Sequence, residues 1–264
     1  SMRRLALLAF LLLPALPNLR AGEEDPASDV ADIPGERITL GEDEKKQYFR
    51  IGPREGEEPD RGYGLLVVLP GGSGSDEFHA FVKRIFKNGC PDGYVAAQPV
   101  AVKWADDQQI VWPTAKNGVE GMEFSTEEFV EEVIADVAEG NKIDREKIFV
   151  LAWSSSGPAA YALSLTPKSS PTGYFIAMSV FKPDYLPSLR NARGKAYFLY
   201  HSPDDRVCPY RMAKDAEEQL DRKGAKVKFK EYAGGHGWRG PLYADISEGI
   251  AWLERNHGRP ARRR

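Results

Sequence analysis

Three consecutive serines, Ser154 to Ser156, interrupt the chain at KIFVLAWSSSGPAAY, where an apolar strand pattern passes through a Ser/Gly turn into a helical one. A serine hydroxyl attacks an acyl carbon only when a neighbouring base takes its proton and the side chain stands clear of the backbone. A strained strand-to-helix turn gives that exposure, provided the residues two before and two after the serine are small. Ser154 meets the condition, flanked at those positions by Ala152 and Ser156. Choosing Ser155 puts Trp153 at the crowded position, and choosing Ser156 puts Pro158 there, so Ser154 is the preferred nucleophile. Taken alone, a serine triplet also reads as a helix N-cap with two spare hydroxyls. The matching base is His236 in EYAGGHGWRG, because glycines on both sides let its imidazole lean over a sheet edge. The other three histidines have plainer surroundings: His79 in a helical pattern, His201 ahead of an acidic loop, His257 at a helix end. A carboxylate to orient His236 is offered by Asp204 and Asp205 in LYHSPDDRVCPY, although an Asp pair equally suits a solvated turn.

These residues need elements to hold them. Short strand patterns near Arg37 to Leu40 and Gln47 to Ile51 precede a polar loop and the continuous apolar run Leu65 to Leu69, which reads as a strand buried on both faces. Helical spacing then covers Asp76 to Phe86, and Tyr94 to Val100 is strand-like. Ser125 to Glu139 is an amphipathic helix opened by a capping box, with Ser125 or Thr126 as cap and Glu128 following. Strand Lys147 to Ala152, helix Ser156 to Leu165, strands Tyr174 to Val180 and Ala196 to Tyr200, helix Pro209 to Lys223, strand Val227 to Tyr232 and helix Tyr243 to Arg255 follow. Strands separated by helices predict an α/β domain over 37–257, with a mostly parallel sheet covered on both faces.

With its strand, turn and helix in that order, the serine segment resembles the α/β-hydrolase family, and the resemblance spans the chain from about Arg37 to Asn256. The family's G-x-S-x-G stands here as A-W-S-S-S-G, with Ala152 and Ser156 in place of glycines. His201, Asp205, Val207 and Pro209 match the family's H-G-x-x-D-x-x-V-P loop, which implies Asp205 as the triad acid and Asp204 as its alternative. The order Ser154, Asp205, His236 is also the family's. LPGGSGS resembles the oxyanion loop, with Pro70 where histidine is usual, and by that match the oxyanion donors are the backbone N–H groups of Gly72 and Ser155. The interval FKPDYLPSLRNARGK, where lids are common in the family, is too short for a cap domain. With that feature, PDGYVAAQPV and KIDREKIFVLAWSSSG look most like the poly(3-hydroxybutyrate) depolymerase/feruloyl esterase and phospholipase/carboxylesterase branches. The resemblance implies hydrolysis of carboxylic esters, with short or aromatic acyl groups such as acetyl or feruloyl esters on carbohydrate expected first. A serine peptidase of the same fold and an inactive binding module are the alternatives.

At 264 residues and 42% hydrophobic content, the chain can bury one substantial core. A net charge of -3 offers no field for nucleic acid, and the cationic GRPARRR end, 258–264, reads as a solvated tail. Arg3 and Arg4 followed by the apolar run Leu5 to Leu16 and by Ala21-Gly22 have the layout of a signal peptide over 1–21, shorter than a membrane span. Export to a secreted or periplasmic location is therefore expected, without stable membrane insertion afterwards. Ser1 ahead of Met2 reads as a vector-derived leftover, and acidic, Pro- and Gly-containing residues 22–36 read as a linker. Cys90 and Cys208 belong to opposite ends of a parallel sheet, so no bridge between them is expected. Scattered histidines and the lack of His-x-x-x-His or paired-cysteine spacing give no reason to expect a metal or other cofactor. Trp104, Trp112, Trp153 and Trp238 lie near the motifs and suit either core or cleft. Trp238, two residues from His236, and Trp153, beside Ser154, are the candidates for substrate contact.

Overall fold

The computed structural model describes residues 27–258. The expected signal segment, most of the linker and the tail from 259 onward lie outside the described residues. Eight strands are present: β1 (Gly35–Thr39), β2 (Gln47–Ile51), β3 (Tyr63–Leu69), β4 (Tyr94–Pro99), β5 (Ile143–Trp153), β6 (Gly173–Ala177), β7 (Ala196–His201) and β8 (Lys226–Glu231). They form one sheet in the order β1-β2-β4-β3-β5-β6-β7-β8. β2 runs antiparallel to both β1 and β4, and every other pair is parallel. Five helices cover the faces: α1 (His79–Gly89), α2 (Thr126–Gly140), α3 (Gly157–Leu165), α4 (Tyr210–Arg222) and α5 (Leu242–Asn256). None of the described helices is long and apolar enough to cross a membrane.

Strand periodicity divides the core into two layers. Leu65, Val67 and Leu69 of β3 face the layer that holds α2, α3 and α4, whereas Leu66 and Val68 face the layer beneath α1 and α5. On β5 the same alternation sends Ile148, Val150 and Ala152 one way and Phe149, Leu151 and Trp153 the other. The residues from Leu65 to Leu69 are fully buried, as the continuous apolar run predicts for a strand covered on both faces. Ser125 caps α2 by the expected capping box: its Oγ accepts from the Glu128 N–H at 3.2 Å, and the Glu128 carboxylate accepts from the Ser125 N–H at 2.8 Å.

Two local expectations are revised. Structure begins before Arg37, because Val30 and Ile33 are buried against the layer containing α1, and Asp29 and Asp32 pair with Arg84 and Lys87 of that helix. The end of the expected linker is thus tied to the domain by two buried apolar residues that alternate with two ion pairs. β6 stops at Ala177 rather than Val180, since Met178 turns into the left-handed region at φ 40°. Cys90 and Cys208 are both buried and unbridged.

Candidate active site

The turn after β5 is built from side chains that clamp its backbone. Trp153 ends the strand in extended conformation, and Ser154 adopts φ 55°, a left-handed geometry that costs a non-glycine residue about 1–3 kcal/mol. Ser156, fully buried, donates its hydroxyl proton to the Leu69 carbonyl at 2.6 Å and accepts from the Trp153 N–H at 3.0 Å. This serine therefore ties the end of β3 to the turn, a role glycine could not fill. On the opposite flank Ser179 Oγ donates to the Ser154 carbonyl at 2.8 Å. Gly157 leaves room for that contact: a Cβ built there would lie 1.9 Å from Ser179 Oγ.

The three residues expected to act together meet in space. Ser154 Oγ lies 3.0 Å from His236 Nε2, and His236 Nδ1 lies 2.8 Å from Asp205 Oδ2. A carboxylate oxygen only accepts, so Nδ1 carries the proton and Nε2 is left to accept from the serine. The other carboxylate oxygen, Asp205 Oδ1, accepts from the N–H groups of Val207 and Cys208, each at 2.8 Å. Burial alone would raise the Asp205 pKa, but the bonds from His236, Cys208 and Val207 outweigh it and hold the carboxyl below its usual value. Asp204 is exposed and makes no bond to the imidazole; its N–H donates to Ser202 Oγ at 3.2 Å. Ser202 Oγ also accepts from the Gly235 N–H at 3.1 Å, so one buried hydroxyl joins the acid loop to the histidine loop.

His201 contributes more than its place in the motif suggests. Its Nε2 lies 2.9 Å from the Cys208 carbonyl and 3.3 Å from Asp205 Oδ2. The carbonyl can only accept, so Nε2 is protonated, and burial lowers the His201 pKa and favours this neutral donor. The ring thereby fixes both ends of the loop that carries Asp205. Asp205, Cys208 and His236 also bring potential metal-ligand atoms within 4.8 Å of one another, with the Asp205 oxygens already engaged as described.

The loop 70–74 packs against the turn. Gly71 touches Trp153 so closely that a Cβ would meet the ring at 2.5 Å, and Gly72 takes φ 59°. Ser155 Oγ donates to the Gly72 carbonyl at 2.9 Å, and the indole N–H of Trp112 donates to the Pro70 carbonyl at 2.9 Å. Gly72 and Ser155, the expected oxyanion donors, are thus linked side by side.

A pocket of about 230 Å³ opens next to Ser155, with Ile110, Trp112, Pro158, Tyr161 and Leu186 in its wall. Much of that wall comes from residues 100–125, the connection between β4 and α2, which has no regular structure and no sequence period to reveal its role. It is firmly held. Beyond the Trp112 bond, Thr126 Oγ1 donates to the Pro113 carbonyl at 2.7 Å, and the Gln108 amide bridges the Trp104 N–H at 2.7 Å and the Ile110 carbonyl at 2.6 Å. Trp153 and Trp238, expected against substrate, are absent from this lining. Their rings pack together at 5.7 Å between centroids, Trp153 against Phe78 and Phe81, Trp238 against Tyr200 and Phe175. For Trp153 the cause is strand parity, since it points into the layer beneath α1 and α5 while the pocket adjoins the other layer.

No protein-family model and no curated protein matches the sequence. Among solved structures, the chain is similar to MGS-M1, an α/β-hydrolase enzyme from a Medee basin deep-sea metagenome library, with TM-score 0.63 and 14% identity over 84% of this chain and 97% of that one. It is similar also to the Bacillus cereus carboxylesterase, with TM-score 0.59 and 16% identity over 79% of this chain and 93% of that one. One of two fungal esterases from Rhizomucor miehei gives TM-score 0.63 and 16% identity over 85% and 84%. The architecture is the α/β-hydrolase fold, as the sequence resemblance implies, with an eight-stranded, mostly parallel sheet between helices.

Proposed function

We propose that this chain is a serine hydrolase that cleaves carboxylic esters through an acyl-enzyme intermediate. The observation that carries the reading is the hydrogen-bonded series Ser154, His236, Asp205, anchored on a left-handed serine. Ser154 Oγ attacks the acyl carbon as its proton passes to His236 Nε2, and Asp205 stabilises the imidazolium. The N–H groups of Gly72 and Ser155 receive the developing oxyanion. Collapse breaks the acyl–oxygen bond, and the departing alkoxide takes the proton back from His236. A water, deprotonated by the same imidazole, then releases the acid. No cofactor enters this scheme.

Short or aromatic acyl groups are the proposed substrates, acetyl or feruloyl esters on carbohydrate foremost. A pocket of 230 Å³ is small beside the roughly 300–1,000 Å³ usual for ligand sites, which suits a short acyl group better than a fatty chain. We further propose export, on the strength of Arg3, Arg4 and the apolar run Leu5 to Leu16; a mature N-terminus at Gly22 would support it, and retention of the leader in a cytoplasmic fraction would refute it. Activity is tested with p-nitrophenyl esters from acetate to palmitate beside peptide p-nitroanilides. Acetate or butyrate should be turned over more than tenfold faster than palmitate, with anilides inert. Preferred cleavage of anilides, or of palmitate with a jump above its critical micelle concentration, would overturn the assignment.

A further inference from the structure

Proton transfer decides which half of an ester enters the pocket beside Ser155. The departing oxygen must lie within hydrogen-bond reach of His236 Nε2, so the alcohol sits on the side of the histidine loop. None of the thirteen residues lining the pocket comes from that loop or from the acid loop; the wall is made by residues 109–117, by Ser155 and the start of α3, and by residues 180–186. The acyl group is therefore the half that points inward.

The lining has an uneven chemistry. Trp112, Tyr161 and Leu186 are buried and apolar in their contact surfaces, and Ile110, Val111, Pro158 and Val180 extend them. Lys182 is the one charged residue of the thirteen, and no carboxylate lies among them. Its side chain is exposed, and it takes part in no ion pair among the described residues. Asn117 and Thr114 add neutral polar groups to the same pocket. An acyl chain that lays methylenes along the apolar wall and ends in an anion would satisfy both parts. A cationic end would find no carboxylate in the lining and would face the Lys182 charge.

We propose that, among acyl chains of one length, the pocket favours those ending in a carboxylate, with Lys182 as counter-ion, so that hemiesters of short dicarboxylic acids are cleaved faster than their neutral isosteres. This rests on the esterase reading above. The reaction is ordinary hydrolysis: water supplies the hydroxyl to the acyl carbon and a proton to the alcohol, and the distal carboxylate stays unchanged.

The test compares ethyl hydrogen glutarate with its neutral isostere, ethyl 5-amino-5-oxopentanoate, by ethanol release, with ethyl pentanoate as reference. Both members of the pair have the same reacting bond, so the ratio of their kcat/KM values isolates the distal group. A solvent-exposed ion pair should favour the hemiester about fivefold in the wild type. The ratio should fall toward one in Lys182→Met, drop below one in Lys182→Glu, and shrink in the wild type as salt is raised, which a purely structural lysine would not cause. A wild-type ratio at or below one with ethyl pentanoate well hydrolysed, or a ratio unmoved in Lys182→Met, overturns the proposal alone. Failure of all three esters overturns the esterase reading and the proposal with it.

Discussion

Ser156→Ala isolates what holds the nucleophile in place. The fully buried hydroxyl donates to the Leu69 carbonyl at 2.6 Å and accepts from the Trp153 N–H at 3.0 Å. Its removal deletes those bonds and strands buried backbone groups, at about 1–3 kcal/mol. The turn also loses its tie to β3, so Ser154 is less constrained to a conformation that is itself costly by about 1–3 kcal/mol. A total near 2 kcal/mol corresponds to a fall in Tm of about 4–8 °C for a domain of this size. Displacing the attacking oxygen by about 1 Å costs on the order of a hundredfold in rate, so kcat on p-nitrophenyl acetate should drop about ten- to hundredfold. The control is Ser155→Ala, which removes one partly solvated bond to the Gly72 carbonyl, retains the backbone N–H, and should alter stability by under about 0.5 kcal/mol. Calorimetry and initial rates on the two variants suffice. A Ser156→Ala protein with wild-type Tm and kcat would refute the clamp.

Other expectations follow from neighbouring contacts. Asp205→Asn should lower turnover by about 10⁴ through loss of the bond that fixes the His236 tautomer, whereas Asp204→Asn should change it little; reversal of that order in steady-state rates would move the acid by one residue. Trp238→Ala should destabilise by about 3 kcal/mol through lost ring packing with Tyr200, Phe175 and Trp153, with KM nearly unchanged, and urea titration beside kinetics separates the two effects. Trp238→Phe should be far milder, because the buried indole N–H has no partner to lose. Burial lowers the Lys195 pKa to about 8. The unfolded chain then binds more protons than the folded one between about pH 8 and 10.5, so this residue makes stability rise with pH across that window, by at most about 3 kcal/mol. Urea unfolding of Lys195→Met at pH 7.5 and pH 10 should show the rise diminished; an unchanged rise would count against the burial of that ammonium.

The parts of this molecule legible in its sequence are those in which a residue's local context dictates its geometry. Small residues around Ser154, glycines around His236 and the apolar run Leu65 to Leu69 each demand a particular backbone, and the structure has those backbones. Closeness in sequence to Ser154 says nothing about which face of the sheet a side chain takes, and Trp153 packs on the face away from the pocket beside Ser155. Period-two alternation from Ala152 to Trp153 was the available signal, and it points Trp153 away from the pocket. The pocket wall at residues 100–125 carries no period at all; it is ordered by long-range bonds such as Trp112 to Pro70, which no local pattern announces. Ser179 and His201 act through carbonyls distant in sequence or across a loop, and their roles emerge only once the strands are assembled.

The central claim is that Ser154 is an activated nucleophile. Treatment with a fluorophosphonate, followed by proteolysis and mass spectrometry of the peptide spanning Lys147 to Lys168, tests it directly. The adduct should reside on Ser154, and Ser154→Ala should abolish labelling and reduce ester turnover by about a millionfold while the thermal transition persists. An adduct on Ser155 or Ser156, or retained ester turnover in a folded Ser154→Ala protein, would contradict the account.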